Sequence, residues 1–430
     1  MAIGVRAVLL AAAGVVAVAL LPGRATIVGW ALACVLLVAV DLALAASPRA
    51  LRFERTTVAS LRLGQDTDAL ITVSNTGSRT VRGILRDAWQ PSAGAASDRH
   101  DVVVPGGERR RVTTRLAPTR RGDRLADRVT VRSFGPLRLA ARQLSVPVPG
   151  RVRVLPPFTS RKHLPSRLAR LRELDGRAAV MVRGQGTEFD ALRDYVEGDD
   201  VRSIDWRATA RRQAVVVRTW RPERDRRVLL VLDTSRTSAA RVGDGPRLDA
   251  AMDAALLLAA LASRAGDRVD LVAVDRRVRA RVVGATGSAL LPALVEAMAP
   301  LEPELVEADW PHVVSEVRSR LSQRALVVLL TPLEAAAVAE GLLPVAAQLT
   351  ARHTVVVASV QDPAVQEMAR ARGDAVAVYD AAAAVRGELD RVATTAALER
   401  AGVHVVDASP DDLPPRLADT YLALKAAGRL

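Results

Sequence analysis

Val228-Leu229-Leu230-Val231-Leu232-Asp233 is an unbroken apolar run closed by a carboxylate, and Thr234-Ser235-Arg236-Thr237 follows at once. The run has the length of a strand covered on both faces, as in a parallel sheet. Downstream the texture alternates. Helical spacing covers 247–264, a strand pattern covers 268–274 behind the turn signal Gly266-Asp267, and 278–283 reads as an antiparallel edge strand. Helices are predicted over 290–298, 312–321, 334–349 and 384–400, and strands over 326–330, 354–359 and 403–406. Such alternation implies a mostly parallel, doubly covered, Rossmann-like sheet. This α/β domain is expected over 228–410, with a closing helix in 411–430. Ligands of such sheets bind beyond the carboxyl ends of the strands, which singles out Asp233, Ser235 and Thr237.

Just upstream the chain is dense in charge. Arg183-Gly184-Gln185-Gly186-Thr187-Glu188-Phe189-Asp190 runs into Leu192-Arg193-Asp194-Tyr195, then Glu197-Gly198-Asp199-Asp200-Val201-Arg202-Ser203-Ile204-Asp205-Trp206-Arg207-Ala208-Thr209-Ala210-Arg211. Gly184 and Gly186 lack the G-x-x-x-x-G-K-[ST] spacing of a phosphate loop. From Arg183 to Arg212 there are seven carboxylates and six arginines. So even a mixture points to internal pairing rather than a groove for a polyanion. Arginine's planar fork holds carboxylates bidentately. The expectation is a brace against the α/β domain built from Asp199, Asp200, Arg202, Asp205 and Arg207, with Trp206 and Tyr195 as apolar anchors. Glu188, Arg193, Gly198 and Arg211 complete the candidate interaction set. Residues 156–227 are read as a linker, a short helix over 164–174, and this segment.

The core G-D-D-x-R-x-I-D-W-R-x-x-A-R, from Gly198 to Arg211, resembles the signature of the bacterial domain-of-unknown-function 58 family. The run ending in Asp233 resembles the first strand and metal loop of a von Willebrand factor A domain. That resemblance implies a divalent ion held by D-x-S-x-S, here Asp233-Thr234-Ser235-Arg236-Thr237, and hard oxygen ligands of this type suit Mg²⁺. It also implies a threonine near 307–310, where Glu307-Ala308-Asp309-Trp310 stands, and an aspartate where Thr331-Pro332 stands. Asp309 is the substitute donor and Glu334 a displaced one. The ion site is therefore expected to be degenerate, binding Mg²⁺ weakly or not at all, with Asp233 acting as a helix cap.

The amino-terminal end is apolar over 7–23 and again over 25–46, with Pro22-Gly23-Arg24 at the break. These lengths, about 26 and 33 Å as helix, predict a transmembrane hairpin within 1–50. Asp41 is expected to reach the interface. Arg6 before the hairpin and Arg49, Arg52 and Arg55 after it predict a cytoplasmic body on a multi-pass protein of the inner membrane. Residues 1–26 also fit a cleaved signal peptide, which leaves the body on the same side. Between 51 and 155, β-prone runs at 58–63, 69–73, 81–85, 102–104, 111–116 and 128–131 alternate with turn signals such as Asn75-Thr76-Gly77. They predict a small antiparallel sandwich.

Net charge is +14 over 430 residues, nearly all from arginine, since Lys162 and Lys425 are the only lysines. The arginines are dispersed and only 3% of residues are aromatic, which argues against a nucleic-acid surface. Cys34 is the single cysteine, and His100, His163, His312, His353 and His404 are scattered without zinc spacing. The expected function is a membrane-anchored adaptor without enzymatic activity. The resemblance implies work with a MoxR-type AAA+ ATPase in assembly or maturation of other proteins. A metal-dependent hydrolase using the carboxylates of 188–205 is the alternative.

Overall fold

The computed structural model describes residues 2–181, 188–221 and 226–430. The chain forms two compact units, residues 1–157 and 158–430.

After a two-residue strand, Ala2–Ile3, that pairs with residues 140–141, the first unit has two helices, α1 (Val5–Leu20) and α2 (Arg24–Leu44), packed side by side. Gly14 sits under the Trp30 indole, so closely that a Cβ there would collide with the ring, and Trp30 Nε1 donates to the Leu10 carbonyl at 3.2 Å. Among the described residues one helix, beginning at Arg24, is long and apolar enough to cross a membrane. Helix α1 has 16 residues, about 24 Å, short of a bilayer core. The expectation of two spans is thus reduced to one span-length helix, and the multi-pass reading loses its support.

Asp41 departs from expectation. It is fully buried. Its carboxylate accepts backbone N–H groups from Leu137 (2.8 Å), Leu139 (2.8 Å) and Ala140 (3.1 Å). Three donors replace the water it loses, the condition under which a buried carboxylate is tolerated. Asp41 therefore ties the end of α2 to the turn at 135–140 instead of reaching outward.

Two antiparallel sheets follow. One holds β1 (Leu51–Thr56), β3 (Thr67–Asn75) and β6 (Arg109–Leu116) in the order β1-β3-β6. The other holds β4 (Val81–Trp89), β5 (Arg99–Val104), β7 (Gly122–Phe134) and β8 (Ala140–Leu155) in the order β8-β7-β4-β5, and β2 (Ser60–Arg62) pairs with β8 in parallel. Strand β3 alternates in burial, sending Ala69, Ile71 and Val73 inward. Ile71 and Val73 meet Val81, Leu85, Val102, Val104, Val129 and Val131 of the second sheet, and Ala69 meets Val152 and Val154, which is the expected sandwich. Two strands escaped the sequence reading. Strand β1 lies between the apolar helix and the first recognised run. Strand β8 contains Pro147, Pro149 and Gly150, which read as a breaker. It is tolerated because most of its outer side is an edge, where missing N–H donors break no ladder. The Arg55 side chain is buried against Asp87 at 2.7 Å, so of the three arginines counted after the helices only Arg49 and Arg52 stay exposed.

The second unit begins with α3 (Leu164–Met181), longer than the expected 164–174. A two-stranded antiparallel ribbon, β9 (Glu188–Asp194) and β10 (Val216–Arg221), encloses the short helix α4 (Trp206–Arg212). Then comes the α/β body. Its strands are β11 (Arg227–Asp233), β12 (Arg268–Val274), β13 (Val278–Val282), β14 (Leu326–Leu330), β15 (Thr354–Val360) and β16 (His404–Ala408). Their order is β13-β12-β11-β14-β15-β16, all parallel except the edge strand β13. The first strand is central because all its residues from Val228 to Asp233 are buried, and only a central position covers both faces. Helices α5 (Arg247–Arg264), α6 (Leu290–Met298), α7 (Trp310–Arg320), α8 (Leu343–Thr350), α9 (Pro363–Arg370), α10 (Ala375–Arg400) and α11 (Leu413–Ala426) complete the body. Helix α5 buries thirteen consecutive or near-consecutive residues from Leu248 to Ala262, so it runs through the interior.

Candidate functional site

The chain leaves β11 toward β12 on one side and later returns to β14 on the other. The crevice outside the carboxyl ends at such a reversal is where doubly wound sheets place ligands. Four polar residues close the strand ends there: Asp233 as the last residue of β11, Asp275 after β12, Thr331 after β14 and Ser359 near the end of β15. All four are buried.

Asp233 is the centre of this group. Its Oδ1 accepts the Ser235 N–H at 2.8 Å, while Oδ2 accepts the Thr331 hydroxyl at 2.7 Å and the Thr237 hydroxyl at 3.3 Å. Ser235 Oγ and Thr237 Oγ1 share a bond at 3.1 Å. Burial pushes the Asp233 pKa upward, against the opposing pull of the Thr331, Ser235 and Thr237 donors. One turn over, Thr234 donates its hydroxyl to Asp275 at 3.1 Å, and Asp275 also accepts the Arg277 N–H. Ser359 Oγ accepts the Leu333 N–H at 3.2 Å. The group therefore ties four loops together at their roots.

The predicted metal residues Asp233, Ser235 and Thr237 do meet, and Thr331 joins them. Thr331 stands where the resemblance implies an aspartate. A hydroxyl directly after a buried strand was the available signal. The donors are hard oxygens, the right type for Mg²⁺. The charge is not right. Asp233 is the only carboxylate of the four, its Oδ2 is taken by two hydroxyls, and its burial favours the neutral acid. Among the described residues there is no group of three His, Cys, Asp or Glu placed to hold an ion. This arrangement fits a hydrogen-bonded carboxyl better than a resident dication.

Other expectations are corrected here. Asp309 is not a substitute donor for the ion. It caps α7 by accepting the His312 N–H at 2.9 Å. Glu334 pairs with Arg247 at 2.6 Å. Arg236 sits inside the loop in sequence, but its guanidinium reaches outward to Glu307. Asp233 does not cap a long helix: the turn it opens, Arg236–Ala239, is a single 3-10 turn, and α5 starts only at Arg247.

The charged segment upstream is built differently. Asp199 accepts from Arg193 at 2.5 Å and from the Val196 N–H at 2.9 Å. Asp200 accepts the Arg202 N–H at 2.9 Å. Asp205 caps α4 through the Arg207 and Ala208 N–H groups, both at 3.0 Å, and pairs with Arg218 at 2.9 Å. Gly198 takes a φ of 105°, which a side chain would oppose, and so closes the turn before Asp199. The Arg193 hydrogen bond, then the Val196 N–H, holds the Asp199 pKa below the ordinary range. The Ala208 N–H, then Arg218, does the same for Asp205.

Among the described residues these partners all lie within 193–218, so the carboxylates do not form the expected buried brace against the α/β body. Short-range turns and caps satisfied the carboxylates first. Nor is Trp206 an inner anchor: 70% of it is exposed, and Val196 and Val201 of the same segment are each more than 60% exposed. Tyr195 is half-buried, and Arg202, Arg207 and Arg211 are exposed. Gly184 and Gly186 lie outside the described residues, and Glu188 is placed on β9 opposite Arg221.

Residues 191–404 match the family described as "Protein of unknown function DUF58". Uncharacterized proteins of Mycobacterium bovis and Mycobacterium tuberculosis are 28% identical over 192 residues, 44% of this chain. The chain spans 60% of the length of these curated relatives. Among solved structures, the CARDB domain of a Pyrococcus furiosus protein is similar at 17% identity and a TM-score of 0.18, covering 23% of this chain and 94% of that one. A β-glucosidase from Listeria innocua is similar at 16% identity and a TM-score of 0.16, covering 23% of this chain and 16% of that one.

Proposed function

We propose that this chain is a membrane-anchored interaction protein, not an enzyme, whose body docks a partner protein of the MoxR-type AAA+ ATPase class during assembly or maturation of other proteins. The observation that carries the reading is the exposed Trp206. Val196 and Val201 of the same segment are exposed as well, and two of its aspartates, Asp199 and Asp205, are already paired with arginines of the segment. Exposed tryptophan is costly without a use and is enriched where partners bind. The sheet order with its antiparallel edge, and the D-x-S-x-T loop at the reversal point, support a von Willebrand factor A-like body.

The anchor is the helix beginning at Arg24, with α1 folded back on it in a hairpin and the exposed Arg49 and Arg52 favouring a cytoplasmic body at the inner membrane. The hydrolase alternative gains nothing from the geometry. Asp199, Asp200 and Asp205 each hold backbone N–H groups, and the pKa values of Asp199 and Asp205 are lowered by their donors rather than poised for acid–base work.

Cross-linking from native membranes tests this. The full chain should capture an AAA+ ATPase, and Trp206→Ala should lose it while the body's melting is unchanged. Equal capture by Trp206→Ala, or a partner set without any such ATPase, overturns the reading. Carboxy-terminal fusions test the side: active exported phosphatase with a dark fluorescent protein contradicts a cytoplasmic body.

A further inference from the structure

We propose that the outer face of α10 is a self-association surface that pairs with α10 of a second copy of this chain, antiparallel. The proposal concerns a different surface from Trp206 and stands apart from that reading. Helix α10 runs for 26 residues, Ala375–Arg400, and its inner face buries Ala381, Ala384, Thr394 and Leu398. Its outer face is apolar along most of its length. Val378, Ala382, Val385, Leu389, Val392 and Ala396 recur at spacings of four, three, four, three and four. Val378 is 49% exposed, Val385 42%, Leu389 61% and Val392 66%. Such a stripe on a helix already mounted by its other side is out of place against water.

Three observations name a second copy as the occupant. The spacing repeats every seven residues, Val378-Val385-Val392 beside Ala382-Leu389-Ala396, which is the period of paired helices and not only of a lone amphipathic one. The alanines leave room for close helix approach between the larger residues. The stripe with Tyr379 at its margin, doubled across a two-fold axis, amounts to on the order of 1,000 Å², the least that a specific interface needs. Charge agrees as well. Arg386, exposed, and Asp390, half-buried, lie on one flank and pair within the helix at 3.3 Å. An antiparallel pair centred near residue 388 sets Arg386 of each copy beside Asp390 of the other, so the same two groups exchange partners.

The test uses the full chain in its membranes, with Cys34→Ser removing the native thiol. Leu389→Cys, near the centre, should give a covalent dimer under mild oxidation, and Val385→Cys, offset along the pair, with a short bis-maleimide. Asp380→Cys, exposed on the far side of the same helix, should not. Adding Val392→Asp to Leu389→Cys should abolish the dimer. Arg386→Asp should weaken it, and the exchange Arg386→Asp with Asp390→Arg should restore it. Equal cross-linking at Asp380→Cys would mark random collision and overturn the proposal. So would a Leu389→Cys that stays monomeric, whether freely labelled or shielded by lipid or another protein. A dimer lost in Arg386→Asp and not regained by the exchange overturns the antiparallel pairing.

Discussion

The strand-end group around Asp233 and the ribbon around Asp205 use the same residue types and reach opposite results. Asp233 is buried, and hydroxyls from two loops converge on it. Asp205 is half-buried near the surface, and its main partners are two residues and three residues ahead in the chain. In the first, the carboxyl is held by groups that folding brings together, 98 residues apart for Thr331. In the second, it is held by its own turn. An aspartate in a charged sequence therefore gives no measure of its reach: burial of the flanking strand does.

The largest effect expected is at Asp233. Asp233→Ala strands the Thr331 and Thr237 hydroxyls and the Ser235 N–H, and should destabilise the body by about 2–3 kcal/mol. Asp233→Asn, which keeps an acceptor, should cost about 1 kcal/mol. Denaturant unfolding followed in the α/β body checks both, and equal stability of all three proteins would show that the group does not lock the loops.

The next effect is pH dependence of opposite sign. The raised pKa of Asp233 means that the folded body binds this proton more tightly than the unfolded chain. Its contribution is complete at or below the ordinary carboxylate range and is lost as pH rises through the folded value. The lowered pKa values of Asp199 and Asp205 act the other way. The ribbon should be firm above the ordinary range and loosen as pH falls through the folded values. Hydrogen exchange, corrected for intrinsic rates, should show Val196 and Ala208 losing protection in acid, while the trend at Ser235 follows the other sign and disappears in Asp233→Asn. Parallel trends would erase the contrast.

Smaller still is the response of the ribbon to Asp205→Ala. It should fray α4 locally, visible as faster exchange at Arg207 and Ala208, with the melting of the body unchanged. A body that melts earlier would restore the brace. The smallest expected effect is salt. The Arg193–Asp199 and Arg218–Asp205 pairs are exposed on the arginine side, so raising salt to about 0.5 M should shorten protection in the ribbon and leave the strand-end group unmoved.

Local rules were legible where the local sequence decides. The strands of the α/β body and most of its helices followed from periodicity, because each element buries its own apolar pattern, whereas α9, which buries none of its residues, and the first turns of α10 did not. The sandwich was legible as a class, although Pro147 and Pro149 hid its longest strand until its position at an edge was seen. The roles of polar groups depended on tertiary structure. Asp41, Thr331 and Asp275 carry no pattern in the chain, since their partners lie far off in sequence. The exposure of Trp206 and of the α10 stripe was equally silent, because a side chain's type sets what it prefers to touch, and only the assembled fold decides whether that preference is met.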